Sequence, residues 1–142
     1  MGTTGTKSGY NFERSNVLYK QTKNIARIIV CLSNYERMLR ICKDNKAHYA
    51  YCVLNKYMME VNLQDLCILE SIMWMGREKN YYPFYVRNPE KYFKDCFKDA
   101  YSTATESNKK QIVEYMTGKV DLSTFLIDGF SLLGIRLEEC DD

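Results

Sequence analysis

The sequence has a single histidine and lacks several residue patterns that mark common enzyme classes. Its six cysteines lie at least 10 positions apart, so none forms the Cys-x-x-Cys pair of a zinc knuckle or redox centre. No glycine-rich loop of the kind that cradles phosphates occurs. A nucleophilic Cys–His or Ser–His–Asp arrangement would have to use His48. We therefore predict no catalytic residue, no metal site and no cofactor, and we expect that the protein is not an enzyme.

His48 and Cys52 are the one pair spaced like a catalytic dyad. They lie four positions apart in a predicted helix, which brings an imidazole and a thiol to the same face. A half-exposed histidine near the start of a helix is the simpler interpretation, and we favour it. Five of the six cysteines fall among apolar neighbours in helical patterns, so we expect reduced thiols rather than disulfides.

Long apolar runs are missing as well. No stretch approaches 18 apolar residues, which excludes a transmembrane helix. The first seven residues, Met1 to Lys7, lack the apolar core of a signal peptide. We expect a cytoplasmic protein with no membrane partner, and this reducing compartment agrees with free thiols.

The composition is that of an ordinary globular protein, with 46% hydrophobic and 27% charged residues in a chain of 142. Apolar residues recur at helical spacing nearly throughout, and no stretch alternates as an exposed strand would. We predict an all-α fold, a single compact bundle of six or seven helices around a central apolar helix at 63–77. The expected division is a flexible N-terminal segment at 1–12, one helical domain at 13–135 and an acidic tail at 136–142.

The central helix is predicted from its cap and its apolar composition. Asn62 is a suitable N-cap for a helix over Leu63–Arg77, whose apolar side chains cover most of its circumference. A helix of this kind belongs in the middle of a domain. Gly76 indicates either a close approach of another helix or the last turn of this one. Glu70 would be buried with a raised pKa, or paired with Arg77 two turns on.

Cap signals divide the rest of the chain into helices. Ser33 and Glu36 fit a capping box that restarts a helix, but they also suit the interior of a longer one, and both alternatives stay open. Asn88 is expected to cap a helix that has a proline at its first position. Asp121 is expected to cap the last helix, and Gly134 to end it.

A short aromatic loop follows the central helix. Its sequence, Tyr81-Tyr82-Pro83-Phe84-Tyr85-Val86, is interrupted by the proline and flanked by arginines. Exposed tyrosines offer rigid, amphipathic area, so the cluster would accept a partner's loop or stack a base; alternatively, the rings cover the central helix. We favour a non-enzymatic protein-binding module with an unidentified protein partner. Its predicted binding residues are Arg77, Tyr81, Tyr82, Phe84, Tyr85 and Arg87.

Charge is unevenly distributed along the chain. Nine basic and three acidic residues give Lys7–Lys46 a net charge of +6, whereas six acidic residues and one basic residue give Asp121–Asp142 a net charge of −5. Lys20, Lys23 and Arg27 share a predicted helix face and form the alternative site, for the phosphates of a nucleic acid or nucleotide. A solvated face is the simpler interpretation. The opposite charges also favour pairing within the molecule, or self-association between copies.

Two blocks of the sequence resemble an uncharacterised bacterial family, the domain of unknown function 3775. The first is Leu69–Arg77, in which an apolar helix ends in a tryptophan–apolar–glycine–arginine sequence. The second comprises Tyr115–Gly118 and Asp121–Ile135, which are similar to that family's closing segment. The resemblance covers about residues 62–135, and Glu78-Lys79 stand where members of the family tend to have Gly-Asp. It implies an α-helical fold and no activity.

Trp74, Gly76 and Arg77 are also similar to the tryptophan–glycine–arginine signature of Bcl-2-like helical bundles. Viral members of that class have a similar size and composition. In that family the three residues are adjacent, whereas Met75 intervenes here. A viral-type Bcl-2-like helical inhibitor is therefore a further, less favoured candidate for the function.

Overall fold

The computed structural model describes residues 19–137, which fold into helices without any β-strand. The predicted all-α class is confirmed. The predicted flexible segment at 1–12 and the last five residues of the predicted acidic tail lie outside the described residues. Within residues 19–137 the helices are α1 (Lys23–Ile41), α2 (Ala47–Met59), α3 (Leu63–Glu78), α4 (Pro83–Arg87), α5 (Pro89–Thr103), a 3₁₀ helix (Glu106–Asn108), α6 (Lys109–Thr117) and α7 (Leu122–Leu132).

Helix α3 is the centre of the bundle, as its apolar circumference predicts. It packs against α7 on one side and α5 on another. The side chain of Asn62 accepts a hydrogen bond of 2.8 Å from the backbone N–H of Asp65, which confirms the predicted cap. Ten of the 16 residues of α3 are buried, so its stability comes mainly from packing against its neighbours.

Two glycines set the distance between α3 and α7. A Cβ atom added at Gly76 would overlap the carbonyl oxygen of Phe125, and one added at Gly129 would overlap the carbonyl oxygen of Ile72. Backbone therefore lies directly against backbone where these helices cross. Of the two roles that the sequence allows for Gly76, the structure shows the close approach.

Helix α1 is continuous through Ser33, which resolves the alternative left open by the sequence. Glu36 does not fold back onto a helix start; its carboxylate accepts two hydrogen bonds from Arg40, at 2.7 and 2.9 Å. Ser123 donates a hydrogen bond of 2.6 Å to the side-chain oxygen of Asn34, which ties α1 to the start of α7. Helix α1 packs on both α2 and α7.

Stacked aromatic rings fill the space around α5. The ring of Tyr19 meets that of Phe93 edge-on at 5.0 Å, and Phe93, Phe97 and Tyr101 follow one another in stacked pairs at 5.8 and 5.1 Å. All four residues are buried. Because aromatic side chains bury large areas and their pairs add further attraction, this column holds α5 firmly on α3.

The predicted aromatic loop is partly helical, which corrects the sequence-based interpretation. Residues from Pro83 to Arg87 form the short helix α4. Proline lacks a backbone N–H and has a fixed φ, and both properties suit the first position of a helix, so here Pro83 starts a helix. The side chain of Asn88 does not cap α5 as predicted, because its amide donates to the carbonyl oxygen of Phe84 at 2.8 Å.

The last helix ends as predicted but begins differently. Asp121 precedes α7 without a side-chain hydrogen bond to its backbone, and its carboxylate lies 3.9 Å from Arg37. Gly134 follows the helix with a φ of +79°, a conformation that glycine adopts at little cost.

The cysteines differ from expectation at one position. Cys42, Cys52, Cys67 and Cys96 are free thiols, but Cys31 is disulfide-bonded. Cys140 lies outside the described residues. Among the described helices, none has both the length and the apolar character needed to cross a membrane.

Candidate functional site

A groove lies where the end of α3 meets α4 and α5. Its volume is about 460 Å³. Three of the predicted binding residues line it, whereas Tyr81 and Phe84 are exposed outside its lining and Arg87 is exposed on α4. We call it the aromatic groove, and its lining residues are Trp74, Arg77, Glu78, Tyr82, Tyr85, Tyr92, Asp95, Cys96 and Asp99.

Three tyrosine rings form a fixed wall of the aromatic groove. The rings of Tyr85 and Tyr92 are stacked with centroids 4.7 Å apart, and Tyr82 meets both edge-on at 6.3 and 6.5 Å. The hydroxyl of Tyr85 donates to Asp95 at 2.7 Å, and this hydrogen bond is the main reason why the pKa of Tyr85 is raised. The wall is therefore held both by ring contacts and by a charge-assisted hydrogen bond.

Tyr92 carries the one buried hydroxyl of this wall that has no partner. Its side chain is almost fully buried, with 3% of its surface exposed, and its oxygen makes no hydrogen bond in the described part of the chain. Burial, aided by Cys96 and Glu78, raises the pKa of Tyr92, so the group stays a neutral phenol. A buried polar group without a partner costs about 1–3 kcal/mol, so such groups in native proteins call for an explanation.

Arg77 is held by neighbours and is not free to act alone. Its guanidinium donates to the hydroxyl of Tyr115 at 2.9 Å and to Glu78 at 2.7 Å. The indole N–H of Trp74 donates to the same Tyr115 hydroxyl at 3.1 Å. Tyr115 comes from α6 and is a residue that sequence reasoning missed. The predicted pairing of Arg77 with Glu70 does not form.

Carboxylates outnumber cations in the aromatic groove. Glu78, Asp95 and Asp99 face one arginine, Arg77, which Glu78 already neutralises. Asp99 makes no ion pair within residues 19–137. Burial raises the pKa of the Cys96 thiol to about 12, so this cysteine is a neutral apolar group and not a nucleophile.

The alternative site predicted from charge is also assembled. Lys20, Lys23 and Arg27 line a second groove of about 450 Å³ together with Gly134, Ile135 and Arg136. We call it the basic groove. Among residues 19–137, its lining contains four cations and no carboxylate. Arg136 escaped the sequence analysis because it lies more than 100 positions from the other three cations.

A third cavity contains the histidine. Its volume is about 450 Å³, and it lies between α1, α2 and the end of α6. The Nε2 atom of His48 is 3.6 Å from the Sγ atom of Cys52, so the predicted shared face exists. No group of three or more His, Cys, Asp or Glu residues within 19–137 is arranged to hold a metal ion. The nearby Arg40 is occupied by Glu36, so the cavity offers no unpaired cation from that residue.

Glu70 is a buried acid that belongs to none of these cavities' linings. Only 7% of its surface is exposed, and its carboxyl group has no hydrogen-bond or ion-pair partner in the described structure. Burial raises the pKa of Glu70 from 4.5 to about 7. Burial with a raised pKa is one of the two outcomes that the sequence allows, and it means that the protonation of Glu70 changes near neutral pH.

Comparison of the chain with protein-family models, with curated proteins and with solved structures finds no match. The resemblance to the domain of unknown function 3775 stays a prediction, and so does the weaker likeness to Bcl-2-like bundles.

Proposed function

We propose that the protein is a non-enzymatic binding module whose aromatic groove takes a short segment of another protein. The segment carries a lysine or arginine next to an apolar or aromatic side chain. The single observation that carries this proposal is the buried, unpartnered hydroxyl of Tyr92, which lies in a groove where Tyr85 and Arg77 both have hydrogen-bond partners. We also propose a cytoplasmic location for the protein, where the disulfide at Cys31 would be subject to reduction.

The apolar part of the segment is suggested by the tyrosine wall. A volume of about 460 Å³ is in the ordinary range for small binding sites and accommodates one or two side chains. Tyrosine and tryptophan rings held in place lose little conformational freedom on binding, which is why they dominate binding energy at many interfaces. Tyr81 and Phe84 extend the apolar surface, because 73% and 55% of their respective areas are exposed.

The basic part of the segment is suggested by charge. Asp99 gives this groove an excess of negative charge, since Glu78 neutralises Arg77 and Lys91 lies 3.4 Å from the carboxylate of Asp95. A cation above the tyrosine faces would gain both from the carboxylate of Asp99 and from the ring electrons. An acidic segment would be repelled.

The hydroxyl of Tyr92 supplies the specific hydrogen bond. A carbonyl group of the bound segment would accept from this phenol and remove the cost of leaving it unpaired. The same bond would reject a segment that presents only apolar atoms at that point, because the phenol would stay unsatisfied.

A selection from random 12-residue peptides tests the proposal. We expect peptides with Lys or Arg beside Phe, Tyr, Trp or Leu, and we expect Tyr82→Ala to weaken the selected peptide about tenfold, the effect of losing a contact worth more than 1 kcal/mol. Asp99→Asn should weaken it about fivefold, measured by fluorescence anisotropy. Tyr49→Ala and Asp121→Asn are matched controls, because both residues are exposed and line neither groove.

Two outcomes contradict this function. One is the selection of a peptide that has no basic residue and whose affinity is unchanged by Asp99→Asn. The other is a concentration-dependent dimer of the protein alone that Tyr82→Ala abolishes in sedimentation equilibrium, because the groove would then bind a second copy instead.

A second candidate function rests on the basic groove. Four cations meet there, and clustered cations bind the phosphates of nucleic acids or nucleotides. This function predicts that a labelled single-stranded oligonucleotide binds with a steep dependence on salt. The double variant Lys23→Glu/Arg27→Glu should abolish that binding, while the aromatic-groove variant Tyr82→Ala leaves it unchanged.

A further inference from the structure

We propose that the basic side chain bound by the aromatic groove is a methylated lysine, held against the rings of Trp74, Tyr82 and Tyr85 with Asp99 as its counter-charge. This inference rests on the proposed function and deepens it, because it names the chemical form of the cation that the bound segment carries. The two can fail separately, since a peptide can also bind in the groove through an unmodified lysine.

The first argument is the arrangement of the tyrosine rings. The ring of Tyr82 is inclined at 63° to both members of the stacked pair Tyr85 and Tyr92, so two ring planes meet as the sides of a corner. Tyr82 is 48% exposed and Tyr85 is half-buried, so both are accessible from the groove. Two planes at such an angle can both contact a tetrahedral ammonium group, which a single flat ring touches on one side only.

Trp74 adds a third ring to the same groove. Its indole N–H donates to the hydroxyl of Tyr115 at 3.1 Å, which fixes the plane of the ring. Indole is the aromatic group that binds cations best. Arg77, the cation that lines the groove, is paired with Glu78 at 2.7 Å, so it does not oppose a second positive charge at full strength.

The second argument is that carboxylates able to accept from a bound ammonium are few. Those of Glu78 and Asp95 have cations as neighbours, at 2.7 and 3.4 Å, and Asp99 has none in the described part of the chain. The hydrogen bond to Asp95 is the main cause of the raised pKa of Tyr85, and the charge of Asp99 adds to it, so Asp99 lies within electrostatic range of this ring. One such carboxylate balances the charge of a lysine, but it does not replace the water around all three N–H donors of a primary ammonium.

Methylation removes this cost. A trimethylated ammonium keeps its positive charge but has no N–H donor, and its methyl groups contact the rings as apolar surface. It therefore gives up less hydration when it enters the groove. The buried hydroxyl of Tyr92 stays available to donate to a carbonyl group of the same segment.

Fluorescence of the protein's own tryptophan tests this inference. The sequence has one tryptophan, and it lines the aromatic groove, so its emission reports binding there. The tightest peptide from the random selection is synthesised with its basic residue as lysine, as trimethyllysine, or as the neutral isostere in which carbon replaces the nitrogen. We expect the trimethylated form to bind the full-length protein about fivefold more tightly than the lysine form. The neutral isostere should lose that gain, because it has the same shape without the charge.

Variants at Tyr82 separate the ring electrons from the size of the side chain. Tyr82→Phe keeps the aromatic face and should retain the preference for the trimethylated form, whereas Tyr82→Leu keeps apolar bulk and should remove that preference. Tyr49→Leu is the matched control and should behave as wild type, because Tyr49 is an exposed tyrosine outside the groove. Circular dichroism checks that each variant keeps its helices.

Different failures have different meanings. Equal affinity for the lysine and trimethyllysine forms would overturn this inference and leave the proposed function standing. A neutral isostere that binds as tightly as trimethyllysine, or a folded Tyr82→Leu protein that keeps the preference, would also overturn it. Failure of every peptide form to bind would overturn both proposals. If tetramethylammonium chloride then still changed the tryptophan emission of wild type but not of Tyr82→Leu, the rings would bind a free small ammonium compound instead.

Discussion

The aromatic groove and the basic groove are built on different principles. In the aromatic groove, polar groups are fixed by neighbours: Tyr85 by Asp95, and Arg77 by Tyr115 and Glu78. The basic groove instead gathers the ends of long side chains from two distant parts of the chain. A fixed wall selects partners by shape and hydrogen bonding, whereas flexible cations select by charge. The protein therefore combines a surface suited to specificity with one suited to electrostatic attraction.

The aromatic groove is built partly on α3 and the basic groove is completed by the segment that follows α7, and breaking the crossing of these two helices should have the largest effect on stability. Gly76→Ala places a methyl group where the backbone of Phe125 lies, so the helices must separate. We expect a loss of about 3 kcal/mol or more in the free energy of unfolding, measured by urea denaturation, because overpacking against backbone cannot relax easily. Gly118→Ala is the control, with a change within about 1 kcal/mol, because Gly118 is exposed with right-handed φ and a Cβ there would lie 3.1 Å from the carbonyl oxygen of Glu114 without overlapping it. A stable Gly76→Ala protein would show that the crossing is looser than described.

The buried acid Glu70 lies on α3, two turns before Arg77 of the aromatic groove, and it makes stability depend on pH. The folded-state pKa is about 7 against 4.5 when unfolded. Between these values the folded protein binds the extra proton, so the free energy of unfolding falls as pH rises through this range and then levels off. The span is about 3 kcal/mol. Glu70→Gln should remove this dependence and stabilise the protein at pH 8 by up to about that amount.

The control for Glu70 is an exposed acid on another helix. Glu106→Gln should leave the pH profile of the free energy of unfolding unchanged, because Glu106 is exposed at the start of the 3₁₀ helix. Equal stabilisation by both variants at pH 8 would mean that net charge, and not burial of Glu70, sets the profile.

Much of the fold is predictable because its signals are local. Asn62 and Asp65 are three residues apart, and their cap needs no knowledge of the rest of the chain. Pro83 shows where local signals mislead, since a proline both ends and starts helices, and the choice depends on what packs beside it. The aromatic groove follows the same rule: all of its lining residues lie between positions 74 and 99, and three of the six predicted binding residues are among them.

The parts that sequence reasoning missed come from distant segments. Tyr115 reaches Trp74 and Arg77 from about 40 positions away, and Arg136 joins Lys23 across more than 100. Apolar periodicity predicts which face of each helix is buried, but it does not predict which other helix packs against that face. The close contact at Gly76 could be stated only as one of two alternatives for the same reason.

The hydroxyls of the tyrosine wall offer a sharper comparison inside the aromatic groove. Tyr92→Phe removes an unpaired buried hydroxyl and should raise the free energy of unfolding by about 1 kcal/mol. Tyr85→Phe removes a hydrogen bond to Asp95 and should lower it by about 1 kcal/mol. The proposed function adds that Tyr92→Phe weakens peptide binding while it stabilises the fold. A Tyr92→Phe protein that is less stable than wild type would mean that water or another group already satisfies this hydroxyl.

The smallest effect on stability is expected in the basic groove. Arg136→Ala should change the free energy of unfolding by no more than about 0.5 kcal/mol, because its side chain is exposed. Its effect should appear in the salt dependence of oligonucleotide binding. The slope of log K against log salt should become shallower by about 0.7, the value for one phosphate contact on a single strand. An unchanged slope would show that Arg136 does not contact the phosphates. The anion site would then consist of Lys20, Lys23 and Arg27 alone. The two grooves would then differ less than their geometry indicates, since each would be the product of one continuous stretch of sequence.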